Sequence, residues 1–381
     1  MNGPESVIAP DVKGAPLPKV LNHTAYPSQY YQMMDVNDDV FHVMVSRLTY
    51  DMTKVDDEGH LLLADEQAAL ITTDEYYEEV NTSSVVQESD FAPYKPKCDI
   101  LFAHAVAYAP EGKPSKSWPI GVKVGDWEKR LTVVGPRRME RLLGTWSIGS
   151  TEAVEHVPIR YELAYGGTCQ WPLAISEDQA HELYEYHKTN PIGSGFSRRA
   201  WRKKSGVDYA YAPSIEAFET PFSAKNADNE DYPAVGLGPV GRWWQPRASL
   251  AGTYDAEWKA TRWPKLPLDF DFAYWNAAPK DQQIDYPQGG EDVVLIGLHP
   301  QGTLRFKLPV PDIKLLLRLE AGVPLFKPME TDTLIFDMQQ LTVSVVRRGL
   351  VAAKAGIKQV ELGTWDIEAA RAKNAELIKQ A

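Results

Sequence analysis

Two aspartates beside tryptophan side chains are the pair of carboxylates in this sequence that is most suited to catalysis. Asp269 and Asp271 are flanked by Trp263 and Trp275. On a β-strand, residues i and i+2 share one face, and paired carboxylates beside aromatic rings can hydrolyse glycosidic bonds. Prolines bracket the segment, however, and prolines favour turns. We therefore expect the two aspartates to stabilise a turn, with glycoside hydrolysis as the alternative.

A second candidate site combines aromatic and basic side chains in residues 242–247, which read Arg-Trp-Trp-Gln-Pro-Arg. Tryptophan and arginine are the residue types most often found at the energetic centres of protein interfaces. The sequence therefore predicts that Trp243, Trp244 and Arg247 bind a protein partner. The alternative is that the tryptophan rings pack in the core and the arginines pair with nearby acids.

No other pattern points to catalysis, a cofactor or a metal. The eight histidines are scattered, and His181 and His187 do not have the spacing that places two metal ligands on one helix face. Residues 193–195 read Gly-Ser-Gly and lack the spacing of a nucleophile elbow. Cys98 and Cys169 are too far apart for a zinc motif, and both are expected to be small buried apolar residues. We expect no catalytic residue, no cofactor and no metal.

The elements that must position these residues are predicted to be mainly β-strands, because apolar residues recur with a period of two or in short continuous runs. Such strands form layered antiparallel sheets. The predicted strands cover residues 40–50, 61–63, 99–108, 120–124, 131–134, 157–165, 303–308, 315–319 and 341–345. Few helices are expected, and the main internal candidate covers residues 176–188, with Ser176 as its N-cap.

The chain divides into three parts by pattern. Residues 1–19 are expected to be a flexible extension, residues 20–363 a β-rich domain, and residues 364–381 a C-terminal helix. The β-rich part forms one unit or two subdomains that divide near residue 150. Within it, residues 190–290 predict a long, irregular, loop-rich region that holds six of the 11 tryptophans.

The formal net charge of −12 at pH 7 argues against binding to nucleic acid or to an anionic membrane surface, since both need clustered cations. No stretch is long and apolar enough to suggest a membrane span. The N-terminal residues have neither the basic nor the apolar part of a secretory signal. These features indicate a soluble, cytoplasmic protein.

Several short blocks, taken in order, resemble one bacterial family. The blocks are residues 90–99 (DFAPYKPKCD), 160–167 (RYELAYGG), 190–196 (NPIGSGF), 212–216 (APSIE), 238–247 (GPVGRWWQPR), 252–255 (GTYD), 269–271 (DFD) and 276–283 (NAAPKDQQ). Their order and spacing are similar to the family called domain of unknown function 2169. The resemblance covers about residues 20–350.

The resemblance implies a protein-binding role without catalysis. Members of that family are associated with type VI secretion and are regarded as adaptors or chaperones. They help to load a toxic effector, often one with a PAAR-type tip domain, onto the secretion spike. Two alternatives are a carbohydrate-active enzyme that uses Asp269 and Asp271, and a carbohydrate-binding β-module that uses Trp243 and Trp244 as stacking platforms.

Overall fold

The computed structural model describes residues 17–170, 184–204, 207–310, 312–322 and 324–365. β-Strands predominate in these ranges, and the two α-helices found there are short: α1 (Arg199–Lys204) and α2 (Ala256–Thr261). The prediction of a mainly β fold with few helices is therefore confirmed. No helix in the described ranges has the length and apolar character needed to cross a membrane.

The strands of the described ranges vary from two to 16 residues, and β3 and β26 are the longest. In chain order they are β1 (Lys19–Asn22), β2 (Ser28–Met34), β3 (Val40–Val55), β4 (Leu61–Leu63), β5 (Glu75–Tyr76), β6 (Val85–Gln87), β7 (Cys98–Ala103), β8 (Val106–Tyr108), β9 (Ser117–Val124), β10 (Trp127–Val134), β11 (Arg138–Leu142), β12 (Thr145–Ile148), β13 (His156–Pro158), β14 (Tyr165–Gly166), β15 (Thr168–Gln170), β16 (Tyr184–Tyr186), β17 (Ser194–Gly195), β18 (Tyr209–Tyr211), β19 (Ile215–Ala217), β20 (Gln283–Ile284), β21 (Asp292–His299), β22 (Gly302–Lys307), β23 (Lys314–Leu319), β24 (Pro324–Pro328), β25 (Glu330–Asp337), β26 (Thr342–Ala352) and β27 (Ile357–Gly363).

A seven-stranded sheet, called here the central sheet, organises the chain. Its strand order is β2-β3-β26-β25-β7-β20, and β4 pairs with the far end of β3. Neighbouring strands are antiparallel except β25 and β7, which are parallel. The apolar run at residues 40–50 predicts a strand with neighbours on both sides, and β3 lies between β2 and β26. The return strand predicted at residues 61–63 is β4.

One face of the central sheet lies in a large apolar core that two further sheets share. The second sheet has the order β19-β10-β9-β21-β22, and the third has the order β1-β27-β23-β24. Because each sheet turns one apolar face inward, the three form layers around one core. Its buried side chains include Met44, Leu48, Ile100, Phe336, Val343, Ile120, Val122, Leu131, Leu295, Leu315, Leu317 and Leu362.

A smaller core lies against a three-stranded sheet of order β12-β11-β18. Alternation along the strands sends Met139 and Ala210 into this core, while Tyr209 and Tyr211 are exposed on the other face. The remaining buried members of the small core are Tyr165, Cys169, Phe196, Ala212, Phe222, Ala227 and Tyr232.

The alternation at residues 157–165 predicts one continuous strand, and this prediction is wrong. The chain forms only the short strands β13 and β14, with a 3₁₀ turn at Tyr161–Leu163 between them. A side chain replaces the missing strand partner, since Asn190 Nδ2 donates to the carbonyl oxygens of Tyr161 and Tyr165 at 2.8 and 3.0 Å. Side-chain hydrogen bonds of this kind compete with the ladder of a sheet.

The helix predicted over residues 176–188 is wrong in its last part, because β16 pairs with β15 there. The first part, residues 176–183, lies outside the described residues. Of the C-terminal helix predicted over residues 364–381, all but the first two positions also lie outside them. In the predicted N-terminal extension, residues 17–19 are described, and β1 begins at Lys19.

Two adjacent arginines of β26 show how much the two faces of the central sheet differ. Arg348 is buried on the face away from the large core, where its Nε donates to Asp332 Oδ2 at 2.6 Å. Burial alone would lower the pKa of Arg348, but the Asp332 carboxylate more than offsets this, and the pKa is raised. The buried charge is thus held as an ion pair.

Arg347 points to the apolar side, in line with Val343 and Val345. Its guanidinium donates to the carbonyl oxygens of Ile313 and Met329 and makes no ion pair with a carboxylate of the described residues. Burial lowers the pKa of Arg347 to about 10. The buried charge of Arg347 is therefore less well compensated than that of Arg348 and destabilises the folded state more.

Substituting each arginine by methionine should separate these two situations. Arg348→Met leaves Asp332 charged, buried and unpaired, and we expect the free energy of unfolding to fall by about 3–5 kcal/mol. Arg347→Met removes a poorly compensated charge, so we expect a loss below about 1.5 kcal/mol. Urea unfolding at neutral pH measures both values. Equal losses would contradict the difference between the two faces.

Candidate functional site

The second face of the central sheet carries buried polar side chains beside a small apolar cluster, and irregular segments of the chain cover it. Arg47, Asp99, Thr333 and Arg348 all lie on this face and are buried. The covering segments belong to residues 64–97 and 235–282, which contain few paired strands. Buried polar groups must be satisfied by hydrogen bonds. Side chains of the sheet therefore hold the covering segments in place.

Asp99 on β7 is the junction of this arrangement. Its carboxylate is fully buried and accepts hydrogen bonds from Lys95 Nζ at 2.9 Å and from Asn276 Nδ2 at 2.9 Å. It also accepts from the backbone N–H groups of Ala277 at 2.9 Å and Ala278 at 3.3 Å. One carboxylate thus ties both covering segments to the same strand.

Lys95 keeps its charge although it is fully buried. Burial alone would lower the pKa of Lys95, but the carboxylates of Asp99 and Asp332 more than offset this, and the pKa is raised. Its Nζ also donates to Thr333 Oγ1 on β25 at 2.8 Å. The lysine therefore bridges the two parallel strands of the central sheet.

Arg247 and Glu88 form a second buried ion pair under the irregular region. Arg247 Nη1 and Nη2 lie 2.6 and 2.8 Å from the two carboxylate oxygens of Glu88. The remaining donors reach the carbonyl oxygens of Val240 at 2.7 Å and Tyr274 at 2.8 Å. Burial alone would lower the pKa of Arg247, but Glu88 more than offsets it, and the pKa is raised. The pair fastens residues 240–247 to the rest of the molecule.

The three residues predicted to bind a partner lie in different environments. Trp244 is 2% exposed, and its ring packs edge-on against Tyr161 at a centroid distance of 5.3 Å. Arg247 is buried in the ion pair with Glu88. Because a buried side chain offers no surface to a partner, the interior role corrects the predicted role of these two residues. Trp243 is 43% exposed, and for it partner binding stays a prediction.

Asp269 and Asp271 lie in a turn and not on a strand. The carboxylate of Asp269 accepts from Thr253 N at 3.0 Å and from Thr253 Oγ1 at 2.7 Å. These bonds hold the pKa of Asp269 below its usual value. Asp271 Oδ1 accepts from Ala273 N at 2.8 Å and caps the 3₁₀ turn Phe272–Trp275. Both contacts confirm the predicted turn-stabilising role.

An exposed apolar surface occupies residues 252–269, a segment that we call the aromatic knob. Three of its side chains are largely exposed: Tyr254 at 52%, Trp263 at 61% and Leu268 at 69%. Trp258 packs edge-on against Tyr254 at 4.6 Å. Large apolar side chains that gather at a surface are typical of interaction sites.

The aromatic knob is anchored at two points. Its base is closed by the bonds between Asp269 and Thr253. Its side is held by Asp38, whose carboxylate accepts hydrogen bonds from Arg262 Nη2 at 3.2 Å and from Lys265 Nζ at 2.8 Å. Arg262 Nη2 also donates to the carbonyl oxygen of Val36 at 3.0 Å. A surface held in this way loses little conformational entropy when it binds.

The buried polar network was not singled out from the sequence, although the family-like blocks contain much of it. The block at residues 90–99 contributes Lys95 and Asp99. The block at residues 276–283 contributes Asn276, whose amide reaches Asp99, and Gln282, whose amide donates to the carbonyl oxygen of Ile100 at 2.8 Å. The available signal was a lysine and an aspartate four residues apart in a proline-rich segment.

Within the described ranges, no group of three or more His, Cys, Asp and Glu side chains is arranged to hold a metal ion. The two cysteines are buried and free, as predicted for small apolar residues. Burial raises the pKa of the Cys98 thiol well above its ordinary value.

Residues 38–348 match the protein family described as "Uncharacterized protein conserved in bacteria (DUF2169)". The match covers well over half of the 381 residues, so the chain belongs to this family. The resemblance seen in the sequence blocks is confirmed. No curated protein and no solved structure matches the chain.

Alanine substitutions should distinguish surface from interior among the three predicted partner-binding residues. Trp244→Ala should lower the free energy of unfolding by about 3–5 kcal/mol, because it removes a buried ring. Arg247→Ala should cost a similar amount, since it leaves Glu88 buried and unpaired. Trp243→Ala should change stability by less than about 1 kcal/mol. Chemical denaturation measures all three, and a Trp243 loss as large as that of Trp244 would contradict the assignment.

Asp269→Asn should lower the melting temperature at neutral pH, because the amide replaces a carboxylate that accepts two bonds from Thr253. The depressed pKa means that the carboxylate stabilises the fold above the pKa of the unfolded chain, and that this stability is lost as the pH falls through the folded-state pKa. The difference between wild type and variant should therefore shrink in acid. Glycan hydrolysis by the wild type, abolished in Asp271→Asn at an unchanged melting temperature, would contradict the structural role.

Proposed function

We propose that this member of the DUF2169 family is a non-enzymatic adaptor or chaperone. Its partner is a type VI secretion effector or a PAAR-type tip or spike protein, which it binds in the cytoplasm and helps to load onto the spike. The connection with secretion comes from the family resemblance of the sequence blocks. The observation that carries the binding role is the aromatic knob.

The aromatic knob supports protein binding because of what it exposes. Trp263 and Tyr254 belong to the residue types that dominate the energetics of interfaces. Leu268, the most exposed of the three, adds apolar area without a polar group that would need a hydrogen-bond partner. Each of these side chains would gain from being covered, since burial of apolar surface is favourable.

The scaffold below the aromatic knob suits repeated binding and release. The knob and Trp243 both belong to the irregular region, which buried ion pairs such as Arg247–Glu88 hold in place. A preformed surface of ordinary size binds without large rearrangement. An adaptor needs to bind without large rearrangement, because it must hold its client and later release it unchanged.

A carbohydrate-binding module is the second candidate, and one observation favours it. On the outer face of the three-stranded sheet, the rings of Tyr209 and Tyr211 are 48% and 59% exposed, although the guanidinium of Arg138 lies over them at 4.7 and 5.3 Å from their centroids. Flat aromatic faces of this kind can stack on sugar rings. A glycan array, with Tyr211→Ala as the control variant, tests this candidate directly.

The adaptor function predicts a binding defect in two aromatic-knob variants. Trp263→Ala and Leu268→Ser should each weaken binding to the effector encoded beside the gene by about tenfold or more, because central apolar anchors commonly contribute at least about 1.4 kcal/mol. Their melting temperatures should stay close to that of the wild type, since both side chains are exposed. Pull-down and calorimetric titration measure the binding.

Tyr209→Ala is the matched control, because Tyr209 is an exposed aromatic residue at 48% and lies on the three-stranded sheet, outside the aromatic knob. It should bind the client normally. If both knob variants fold and bind as the wild type does, the aromatic knob is not the client surface. If no neighbouring gene product binds the wild type, the adaptor function itself is wrong.

A further inference from the structure

A cleft of about 520 Å³ opens where the central sheet meets the sheet that contains β24. It is separate from the aromatic knob, since no residue of the knob lines it. Its apolar side comes from Phe41, Tyr94, Tyr286, Pro328, Leu350, Val351, Ala352 and Ala355, and its charged side from Lys95, Lys327, Glu330, Asp332 and Arg348.

The end of β26 enters this cleft with a strand partner on one side only. Residues 349–352 pair with residues 41–44 of β3. On the other side, the pairing with β25 stops at Arg348, which lies opposite Glu330. The chain before Glu330 runs into β24 and belongs to a different sheet. Residues 349–352 therefore have an open strand edge in the part of the chain that the structure describes.

A second open edge borders the same cleft. Among the described strands, β24 is the outermost of its sheet and pairs only with β23. Two of its residues, Lys327 and Pro328, line the cleft. Open strand edges present unpaired N–H and C=O groups, which extended peptides bind by adding a strand.

Two tyrosine side chains form an aromatic wall of the cleft and are fixed in place. The hydroxyl of Tyr286 donates to the carbonyl oxygen of Lys95. Tyr94 packs edge-on against Phe272 at a centroid distance of 6.0 Å. Alternate side chains of an added strand would meet this wall, since successive side chains point to opposite faces.

More cationic than acidic side chains line the cleft, although the whole protein has a negative net charge. Three cationic and two acidic side chains line it, whereas the chain has a net charge of −12. Lys95 is paired with Asp99, and Arg348 is paired with Asp332. Lys327 makes no ion pair with any described residue, and Arg348 Nη2 is buried with no hydrogen-bond partner among them. Glu330 also makes no ion pair with a described residue, so the unpaired charges of the lining are Lys327 and Glu330, and Lys327 is the position that would attract an acidic side chain.

We propose that this cleft binds an extended peptide segment of a protein partner by strand addition along residues 349–352, with an acidic side chain of the peptide placed at Lys327. The open strand edges form backbone hydrogen bonds with the peptide, and the aromatic wall makes apolar contact with it. Lys327 favours peptides that carry an acidic side chain at this point. The inference rests on the proposed function only in requiring a polypeptide partner, and it concerns a different surface from the aromatic knob.

The experiment starts from a phage-displayed library of random linear dodecapeptides, selected on the full-length protein. Enriched sequences should carry an acidic residue within an alternating run of β-branched or aromatic residues. A synthetic peptide of the most enriched sequence is then methylated at one backbone nitrogen at a time. Strand addition predicts that affinity falls at every second residue, because alternate N–H groups face the protein.

Protein variants locate the binding site. Lys327→Glu should weaken the selected peptide about fivefold or more, because attraction becomes repulsion. Glu330→Gln should leave binding unchanged or tighten it, and Ala352→Trp should abolish it by filling the cleft. Lys358→Glu is the matched control, because Lys358 is exposed on β27, makes no ion pair with a described residue and does not line the cleft. Thermal melts establish that each variant is folded.

Three results would overturn the inference: no enriched peptide, a methylation profile without a period of two, or equal binding by wild type and by folded Lys327→Glu and Ala352→Trp. Trp263→Ala separates the two surfaces and should bind the peptide normally. If the client binds through the aromatic knob and no peptide binds to the cleft, the adaptor function remains supported. Only the proposed peptide binding in the cleft is then wrong.

Discussion

The buried carboxylate of Asp99 is the constraint on which much of the structure depends. A charge removed from water is tolerated only when opposite charge and hydrogen bonds surround it. Lys95, the Asn276 amide and two backbone N–H groups meet this need. These hydrogen bonds act together with a small apolar cluster, in which Ala277 and Ala278 pack with Leu101 of the sheet. The polar groups of this face therefore bind loops through hydrogen bonds, as an apolar face binds helices or a second sheet by burying apolar surface.

This constraint explains how a long region with few strands keeps a defined shape. The Arg247–Glu88 pair repeats the principle at a second point, since its guanidinium makes two bonds to the Glu88 carboxylate and two to the backbone oxygens of Val240 and Tyr274. Once the interior positions are occupied by Arg247 and Trp244, neighbouring aromatic residues are left facing water. The surface position of Trp243 thus goes with the burial of its neighbour Trp244.

Much of the β architecture could be predicted from the sequence, because a half-buried strand shows its two faces in its own residues. The hairpin of β9 and β10 is of this kind, whereas β3 and β4 were predicted from continuous apolar runs. The 3₁₀ turn at Tyr161–Leu163 was missed because the Asn190 amide that bonds to its backbone is remote in sequence. The polar network was missed for the same reason, since Lys95 and Thr333 are 238 positions apart. Local patterns also could not distinguish the exposed Trp243 from the buried Trp244.

The pairing of β3 with β26 has a consequence for how the chain is made. Val45 of β3 lies opposite Arg348 of β26. β3 can therefore be enclosed only after residues near the other end of the sequence have been synthesised. The parallel contact of β7 with β25 imposes a similar delay. Such a high contact order slows folding and leaves apolar strands open to wrong association. On the ribosome, the apolar run of β3 emerges long before its neighbour exists, and the nascent chain must be kept from aggregating until the last strands are synthesised.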